Sequence, residues 1–230
     1  MKFKLDYFLP GKDSSLTSVP ATVNRAMREE ETPDKTGRYL LLIEAIKADV
    51  IRYRGRYRFR LLFQLLLFDR TFRPVYTLRL CQSASNLPGV ISSLILWPLR
   101  IFHYLNQQLA GVDLPWRTRI GPGFRLNHGW GTVISPGAVI GKNVTLFHGV
   151  TIGQKDHISS EGRVTTFPTI EDEVWIGAHA VIIGGVTVGC GSRIAPGTIV
   201  TGNVEPYTIV GGNPMRVIRN NALPDVVNPA

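Results

Sequence analysis

The most constraining feature of this sequence is a six-residue period in its second half. Two runs of aliphatic residues follow this period in one shared phase: Ile134, Ile140, Leu146 and Ile152, then Ile170, Ile176, Ile182, Val188, Ile194 and Val200. A small or β-branched residue follows nearly every one of them four positions later. A hexapeptide period marks a parallel β-helix, in which each coil has three short strands and each strand buries one aliphatic side chain.

One stretch breaks the period and thereby helps to outline the domains. Residues 154–168 fall outside the repeat, although the phase resumes after them. We therefore expect an excursion loop, thrown out of a rigid coil, that can cover a substrate. The β-helix domain is placed at 113–219, a helical N-terminal region at 1–112 and a C-terminal tail at 220–230.

A second irregularity relates two histidines. The step from Leu126 to Ile134 is eight residues, so the coil carries a two-residue insertion at Gly129-Trp130-Gly131. A regular coil of eighteen residues becomes one of twenty, which is the separation of His128 and His148. We expect the two histidines at equivalent corners of adjacent coils, about 5 Å apart.

The N-terminal region is basic, and its pattern is helical. Residues 1–112 contain 17 Lys or Arg and 9 Asp or Glu, whereas the rest of the chain is nearly neutral. Residues 1–36 are polar with scattered prolines and predict a loose arm. Apolar spacing predicts helices within 37–55, 58–68, 75–85 and 88–111. The arginine-rich run 52–60 is interpreted as a solvated helix face that also contacts other subunits, and no nucleic-acid partner is expected.

Segment 88–111 and the cysteines bear on where the protein works. The segment is strongly apolar with Pro98 inside, which favours a pair of buried helices; a helix lying on a membrane surface is the alternative. Cys81 and Cys190 fit no metal or redox spacing, and the N-terminus lacks the long apolar core of a secretory signal. We expect a cytoplasmic protein, with peripheral attachment to the inner face of the membrane left open.

His128 is the strongest candidate for a catalytic group. It is flanked by glycine at a tight corner of a rigid scaffold, and its ordinary pKa lies close to cellular pH, as a general base requires. Asp113, fifteen residues earlier, is the best candidate for orienting its ring. The alternative is a corner histidine whose nitrogens are satisfied by backbone groups.

Five motifs carry a resemblance to a known family. They are Asp113, RIGPGFRLNHG around His128, VTIG at 150–153, VWIGAHAVIIGGVTVG at 174–189 and VGGNPMRVI at 210–218. With them, the second half resembles the hexapeptide-repeat acyltransferases, namely the serine acetyltransferases and their polysaccharide-modifying relatives. The resemblance implies a mainly β fold class, a left-handed parallel β-helix after a helical region. It also implies homotrimers, which in serine acetyltransferases join in pairs through the helical region.

The resemblance further implies a reaction and the residues that perform it. His128 would act as general base and Asp113 would orient it, while an acceptor hydroxyl attacks acetyl-CoA directly. Acetyl-CoA would be the co-substrate, and no metal is expected. Its pantetheine arm would lie in a groove between two subunits, along the positions that match the family: Trp175, Gly177, Ala178, Ala195, Pro196 and Arg216.

The departures from the family bear on the acceptor. Serine acetyltransferases carry Asp before the catalytic His, where this chain has Asn127, and Asp-Arg-His after their loop, where it has Thr165, Thr166 and Phe167. An enclosed serine needs charged partners, whereas Phe167 offers an apolar face to a sugar ring. We therefore predict a saccharide acceptor, on a polysaccharide or a lipid-linked precursor. The residues predicted to bind it are Asn127, His148, Trp130 and Phe167.

Three other functions stay open at this point. Serine O-acetylation is the first alternative. The second is a zinc enzyme like the γ-class carbonic anhydrases, with His128 and His148 as ligands across a trimer interface. The third is a non-catalytic scaffold that binds anions through the basic half. The basic, apolar half could also dock on a membrane surface that carries the lipid-linked precursor.

Overall fold

The structure is a computed structural model that describes residues 35–160 and 162–230. Four helices come first: α1 (Lys35–Arg54), α2 (Phe59–Phe68), α3 (Phe72–Ser85) and α4 (Gly89–Ala110). Each predicted helical segment overlaps one of them, and α1 and α3 begin two and three residues before the predicted segments. Residues 1–34 of the predicted arm at 1–36 lie outside the described residues.

Short strands follow and form three parallel sheets. The first sheet contains β1 (Val112–Asp113), β4 (Thr132–Ile134), β7 (Thr151–Gly153), β12 (Val181–Ile183) and β15 (Ile199–Val200). The second contains β2 (Arg119–Ile120), β5 (Val139–Ile140), β10 (Thr169–Ile170) and β13 (Thr187–Val188). The third contains β3 (Arg125–Leu126), β6 (Thr145–Leu146), β11 (Trp175–Ile176), β14 (Arg193–Ile194) and β16 (Ile209–Gly211), with β17 (Arg216–Arg219) antiparallel at its end. The coil strands visit the sheets in turn, so the chain winds as a β-helix.

The predicted aliphatic residues form the core of this coil. All ten are at most 2% exposed, and the nine small or β-branched residues between them are buried too: Ala138, Val144, Val150, Val174, Ala180, Val186, Ser192, Thr198 and Val204. The register stacks like on like, because Leu126, Leu146, Ile176 and Ile194 are successive partners in the third sheet. Each strand buries its one apolar side chain against its neighbours above and below, which excludes water along the whole axis. The prediction of a hexapeptide-repeat β-helix is confirmed.

Both interruptions of the repeat act on the coil as expected. Leu126 pairs with Leu146, twenty residues later. Leu146 pairs with Ile176, thirty residues later, so this coil has twelve residues more than the regular eighteen. The extra residues form an antiparallel hairpin of β8 (Lys155–Ser159) and β9 (Gly162–Thr166).

Two buried arginines fasten the helices to the first coils. Arg79 of α3 pairs with Asp49 of α1 (Nε to Oδ2, 3.0 Å) and donates to the carbonyl oxygen of Gly121 at 2.7 Å. Arg52 is fully buried and donates to the carbonyl oxygen of Gly123 at 2.9 Å. The solvated face expected for the arginine-rich run is therefore wrong at Arg52, because its guanidinium finds backbone acceptors inside the protein.

Helix α4 also differs from its prediction. It is one continuous helix with Pro98 inside, not a pair of buried helices, and its buried residues are His103, Asn106 and Ala110. Its outward face is apolar: Val90, Ile91, Leu94, Trp97, Ile101, Phe102, Leu105 and Leu109 are exposed. The predicted burial of this segment is wrong, because apolar residues indicate a helix face that avoids water but do not indicate which surface covers that face. Contact of this face with a membrane surface or with a second trimer stays a prediction. Of the helices described here, none is long and apolar enough to cross a membrane.

Candidate active site

Three histidines stack where the third sheet turns into the first. His128, His148 and His179, here called the histidine corner, belong to three successive coils. His128 has a φ of +69° and His179 a φ of +59°, a left-handed backbone that most residues avoid. The tight turn imposes this conformation, and it aims the side chains away from the core. His128 is exposed as a result.

The rings of the histidine corner are close enough to act on one ligand. The ring centroids of His128 and His148 are 5.9 Å apart, and those of His148 and His179 are 4.9 Å apart. The prediction of equivalent corners one strand spacing apart is confirmed in position. His148 is half-buried, and its Nδ1 is buried without a hydrogen-bond partner among the described residues. An unpaired buried nitrogen of this kind can bond a substrate without first breaking a protein contact.

Asp113 lies near this corner but does not contact His128. The corner rests on the residues before β1, since the Gly131 N–H donates to the Gly111 carbonyl oxygen at 2.8 Å. The Asp113 side chain is exposed and has no hydrogen bond within the described part of the chain. It lines a cavity of about 660 Å³ beside Trp116, whereas His128 lines a different one. The aspartate–histidine pair is therefore not assembled in the single chain.

The predicted acceptor residues divide into two groups. Asn127 adjoins His128, and its Oδ1 accepts a hydrogen bond from Arg125 Nε at 2.9 Å. Trp130, 57% exposed, follows His128 in the same corner. Phe167 lies at a different corner, between the first and second sheets, where its ring covers Gly137 so closely that a Cβ there would lie 2.5 Å from it. Phe167 and His128 are not brought together within one chain, because the hairpin leads from the first sheet to the second.

The predicted acetyl-CoA contacts continue the histidine corner along the coil axis. Gly177 and Ala178 follow β11, and Ala195 and Pro196 follow β14 at the same corner one coil later. The Gly177 N–H donates to the Ile194 carbonyl oxygen at 2.8 Å, which fixes this stacking. All four positions carry small side chains or proline, which would let a thin, flexible arm approach the backbone along the predicted groove.

Trp175 and Arg216 lie beside this groove. The Trp175 ring contacts Phe147 (centroids 4.9 Å apart), and Phe147 in turn approaches His128 at 6.5 Å. Arg216 begins β17 at the far end, where it pairs with Gly211. From β3, which precedes His128, to β17, which begins with Arg216, the third sheet spans five strand spacings, about 24 Å.

Sequence reasoning missed His179 and a group of arginines. His179 stands three residues after Ile176, whereas His128 and His148 stand two residues after their leucines, so a search for a repeated His-Gly pair does not find it. His179 could have been found from the corner itself, because Gly149 and His179 occupy equivalent positions in adjacent coils. Within residues 35–160 and 162–230, no three His, Cys, Asp or Glu side chains are placed to hold a metal, so the zinc alternative has no ligand set in one chain.

The fold and the corner define a class, the hexapeptide-repeat proteins with a left-handed β-helix. Residues 167–202 match the family model described as "Bacterial transferase hexapeptide (six repeats)". More particularly, the chain is similar to serine acetyltransferases. It is 36% identical to serine acetyltransferase 2 of Arabidopsis thaliana over 112 residues, which are 49% of this chain and 33% of that protein. It is 34% identical to the serine acetyltransferase of Bacillus subtilis over 122 residues, 53% of this chain and 54% of that protein. The chain thus spans about half or less of the length of these relatives.

Solved structures extend the similarity into the helical half. The serine acetyltransferase of Vibrio cholerae superimposes with a TM-score of 0.65 at 26% identity, covering 93% of this chain and 77% of that one. A Brucella abortus serine acetyltransferase in complex with coenzyme A has a TM-score of 0.61 at 25% identity, covering 88% and 74%. Soybean serine acetyltransferase complexed with serine has a TM-score of 0.60 at 28% identity, covering 78% and 70%. The β-helix and the helices before it are thus similar to those of serine acetyltransferases.

The predicted saccharide acceptor is wrong on these findings. The relatives and structural neighbours reported above are serine acetyltransferases and not polysaccharide-modifying enzymes. The prediction depended on the absence of charged partners at Asn127, Thr165 and Thr166 and on the apolar ring of Phe167, and the similarity to serine acetyltransferases outweighs both. The serine alternative is the better supported one.

Proposed function

We propose that this chain transfers the acetyl group of acetyl-CoA to the hydroxyl oxygen of L-serine. The observation that carries the proposal is the exposed imidazole of His128 at the head of a column of small residues, in a coil similar to serine acetyltransferases. One relative of known structure is described in complex with coenzyme A and another with serine. The groove and the histidine corner are the places where such molecules would meet.

In the proposed reaction His128 is the general base. Its imidazole takes the proton of the serine hydroxyl as that oxygen attacks the thioester carbonyl carbon. The carbon–sulfur bond then breaks, and the imidazolium returns the proton to the leaving thiolate of coenzyme A. No acyl-enzyme forms, and the reaction neither consumes nor releases a net proton.

Asp113 and His148 have supporting roles in this proposal. Asp113 would orient the imidazole of His128 and hold one of its tautomers. His148, with its unpaired Nδ1, would hydrogen-bond the acceptor. Asn127 and Trp130 would line the acceptor site beside them.

Acetyl-CoA would lie along the groove. Gly177, Ala178, Ala195 and Pro196 would contact the pantetheine arm, with Trp175 beside it. Arg216 is exposed and makes no ion pair with the described residues, so it can meet a phosphate of the co-substrate.

We also propose a homotrimer, because the site is incomplete in one chain. Phe167 faces a different corner from His128, and a neighbouring copy can bring the two corners together. Sedimentation of the purified protein would give the mass of three chains, or six if the helical region joins two trimers. A monomer with full activity would contradict this part of the proposal.

The function is tested by incubating the purified protein with acetyl-CoA and L-serine. We expect thiol release that depends on serine, and O-acetylserine identified by mass spectrometry. Thiol release that is the same with and without serine would contradict the proposal.

A further inference from the structure

We infer that the cavity beside His128 is a subsite for an anionic group of the acceptor molecule. This inference rests on the proposed function and names the residues that select its substrate. The cavity has a volume of about 570 Å³ and lies between the helical half and the first coil. His128 and Asn127 form one wall, and the end of α1 with the turn between α2 and α3 forms the other.

The cavity is strongly cationic. Four arginines line it, Arg54, Arg70, Arg73 and Arg125, against one carboxylate, Asp69. Asp69 is already engaged, since its Oδ1 accepts hydrogen bonds from the backbone N–H groups of Thr71 and Phe72, at 3.0 and 3.1 Å, and so caps α3. None of the four guanidinium groups forms an ion pair with a carboxylate in the described ranges. A net positive cavity of this kind raises the local concentration of anions.

Two of the four arginines have structural duties. Arg70 donates to the carbonyl oxygens of His128 (2.7 Å) and Ala110 (3.2 Å), and its guanidinium stacks on Trp130 at 4.3 Å from the ring centroid. Arg125 donates to Asn127 and stacks on the ring of Tyr53. Both side chains hold the corner around His128 in place.

The other two arginines have capacity for a ligand. Arg54 makes no hydrogen bond with any described residue and is exposed at the mouth of the cavity. Arg73 is half-buried, and its Nη2 donates to the Leu67 carbonyl oxygen at 3.3 Å, whereas its Nε is buried with no acceptor. A buried guanidinium nitrogen without an acceptor is costly, and a carboxylate or phosphate oxygen would satisfy it. Such an anion would lie in the cavity whose wall carries His128, so the same molecule can present its hydroxyl to the base.

For L-serine the anionic group is the carboxylate, and a phosphate-bearing acceptor would use the same donors. The test compares L-serine with L-serinamide, in which a neutral amide replaces the carboxylate. Arg54→Gln should raise the KM for L-serine about tenfold or more, because one charge-assisted hydrogen bond is lost. It should leave kcat and the KM for serinamide nearly unchanged. Arg56→Gln is the matched control, since Arg56 is also exposed near the end of α1 but does not line the cavity.

Two results would overturn the inference. One is an unchanged KM for L-serine in both Arg54→Gln and Arg73→Gln. The other is equal use of serine and serinamide by the wild type.

A binding experiment separates this inference from the proposed function. If the wild type acetylates neither compound, calorimetric titration with inorganic phosphate and with acetate tests the subsite directly. Binding of either anion that is lost in Arg54→Gln and kept in Arg56→Gln supports the subsite, and the tighter anion identifies the group. Absence of binding of both anions contradicts it.

Discussion

The buried ion pair between Asp49 and Arg79 offers a quantitative test of how the helical half is attached to the coil. Asp49 is 1% and Arg79 4% exposed. The Asp49 carboxylate accepts from Arg79 Nε at 3.0 Å and from the Phe124 N–H at 3.0 Å, and so connects α1, α3 and the first coil. Asp49→Ala would leave a buried guanidinium without its counter-charge and the Phe124 N–H without an acceptor. We expect a loss of about 3–5 kcal/mol in the free energy of unfolding.

The complementary variant tests the same pair from its other side. Burial raises the pKa of Asp49, and the positive charge of Arg79 acts in the opposite direction. Arg79→Met removes that charge, so the folded-state pKa of Asp49 should rise further above its unfolded value. A raised folded-state pKa contributes stability that is present at low pH and lost as pH rises. Arg79→Met should therefore lose least stability, relative to the wild type, in acid.

Urea denaturation followed by circular dichroism measures both effects. All variants must be compared at one chain concentration, because oligomer formation shifts apparent stability. The exposed pair of Arg163 and Asp156, 3.4 Å apart, is the control, and Arg163→Ala should cost less than about 1 kcal/mol. If Asp49→Ala costs no more than this control, the ion pair does not attach the helices to the coil, and the reasoning is refuted.

Three further predictions concern the core, a buried histidine and the corner. Ile176→Ala, at a fully buried position, should cost about 2–5 kcal/mol in urea denaturation and Ile176→Val about 0.5–1.5 kcal/mol; equal costs would contradict the stacked core. Burial lowers the pKa of His103 below 6.5, so the free energy of unfolding should be full above that pH and fall as pH decreases. The slope should be at most about 1.4 kcal/mol per pH unit, and His103→Gln should remove it. An unchanged slope in that variant would assign the pH dependence elsewhere. Gly149→Ala would place a side chain at a φ of +69°, with its Cβ 2.2 Å from His179 Nδ1. It should therefore lower the melting temperature and shift the nuclear magnetic resonance signals of the His179 imidazole. Gly202→Ala is the control and should do neither, because a Cβ there meets open space.

The coil could be predicted from the sequence because its physics is local and periodic. Each hexapeptide buries one aliphatic residue, so the burial of Ile176 can be predicted from its place in the repeat without knowledge of the rest of the fold. The same arithmetic placed His128 and His148 on adjacent coils, since a two-residue insertion changes only the length of one turn. The family resemblance supplied the handedness, which the period does not contain.

Contacts between distant segments could not be predicted in this way. Arginines are mostly exposed, so burial of Arg52 follows only from the carbonyl acceptors that the first coils present to α1. The position of Phe167 depends on the corner from which the hairpin leaves the coil, and the period of the repeat does not specify that corner. The cationic cavity joins arginines of the helices to the first coil, which no local pattern relates.

In the proposed reaction, His128 is the base for acetyl transfer to L-serine. The most direct measurement is kcat/KM for this reaction in the wild type and in His128→Ala, with melting temperature and oligomer mass measured on both. We predict a loss of about 100- to 10,000-fold in the variant, with both physical properties unchanged. A folded His128→Ala variant that keeps kcat/KM within about tenfold of the wild type would contradict the claim.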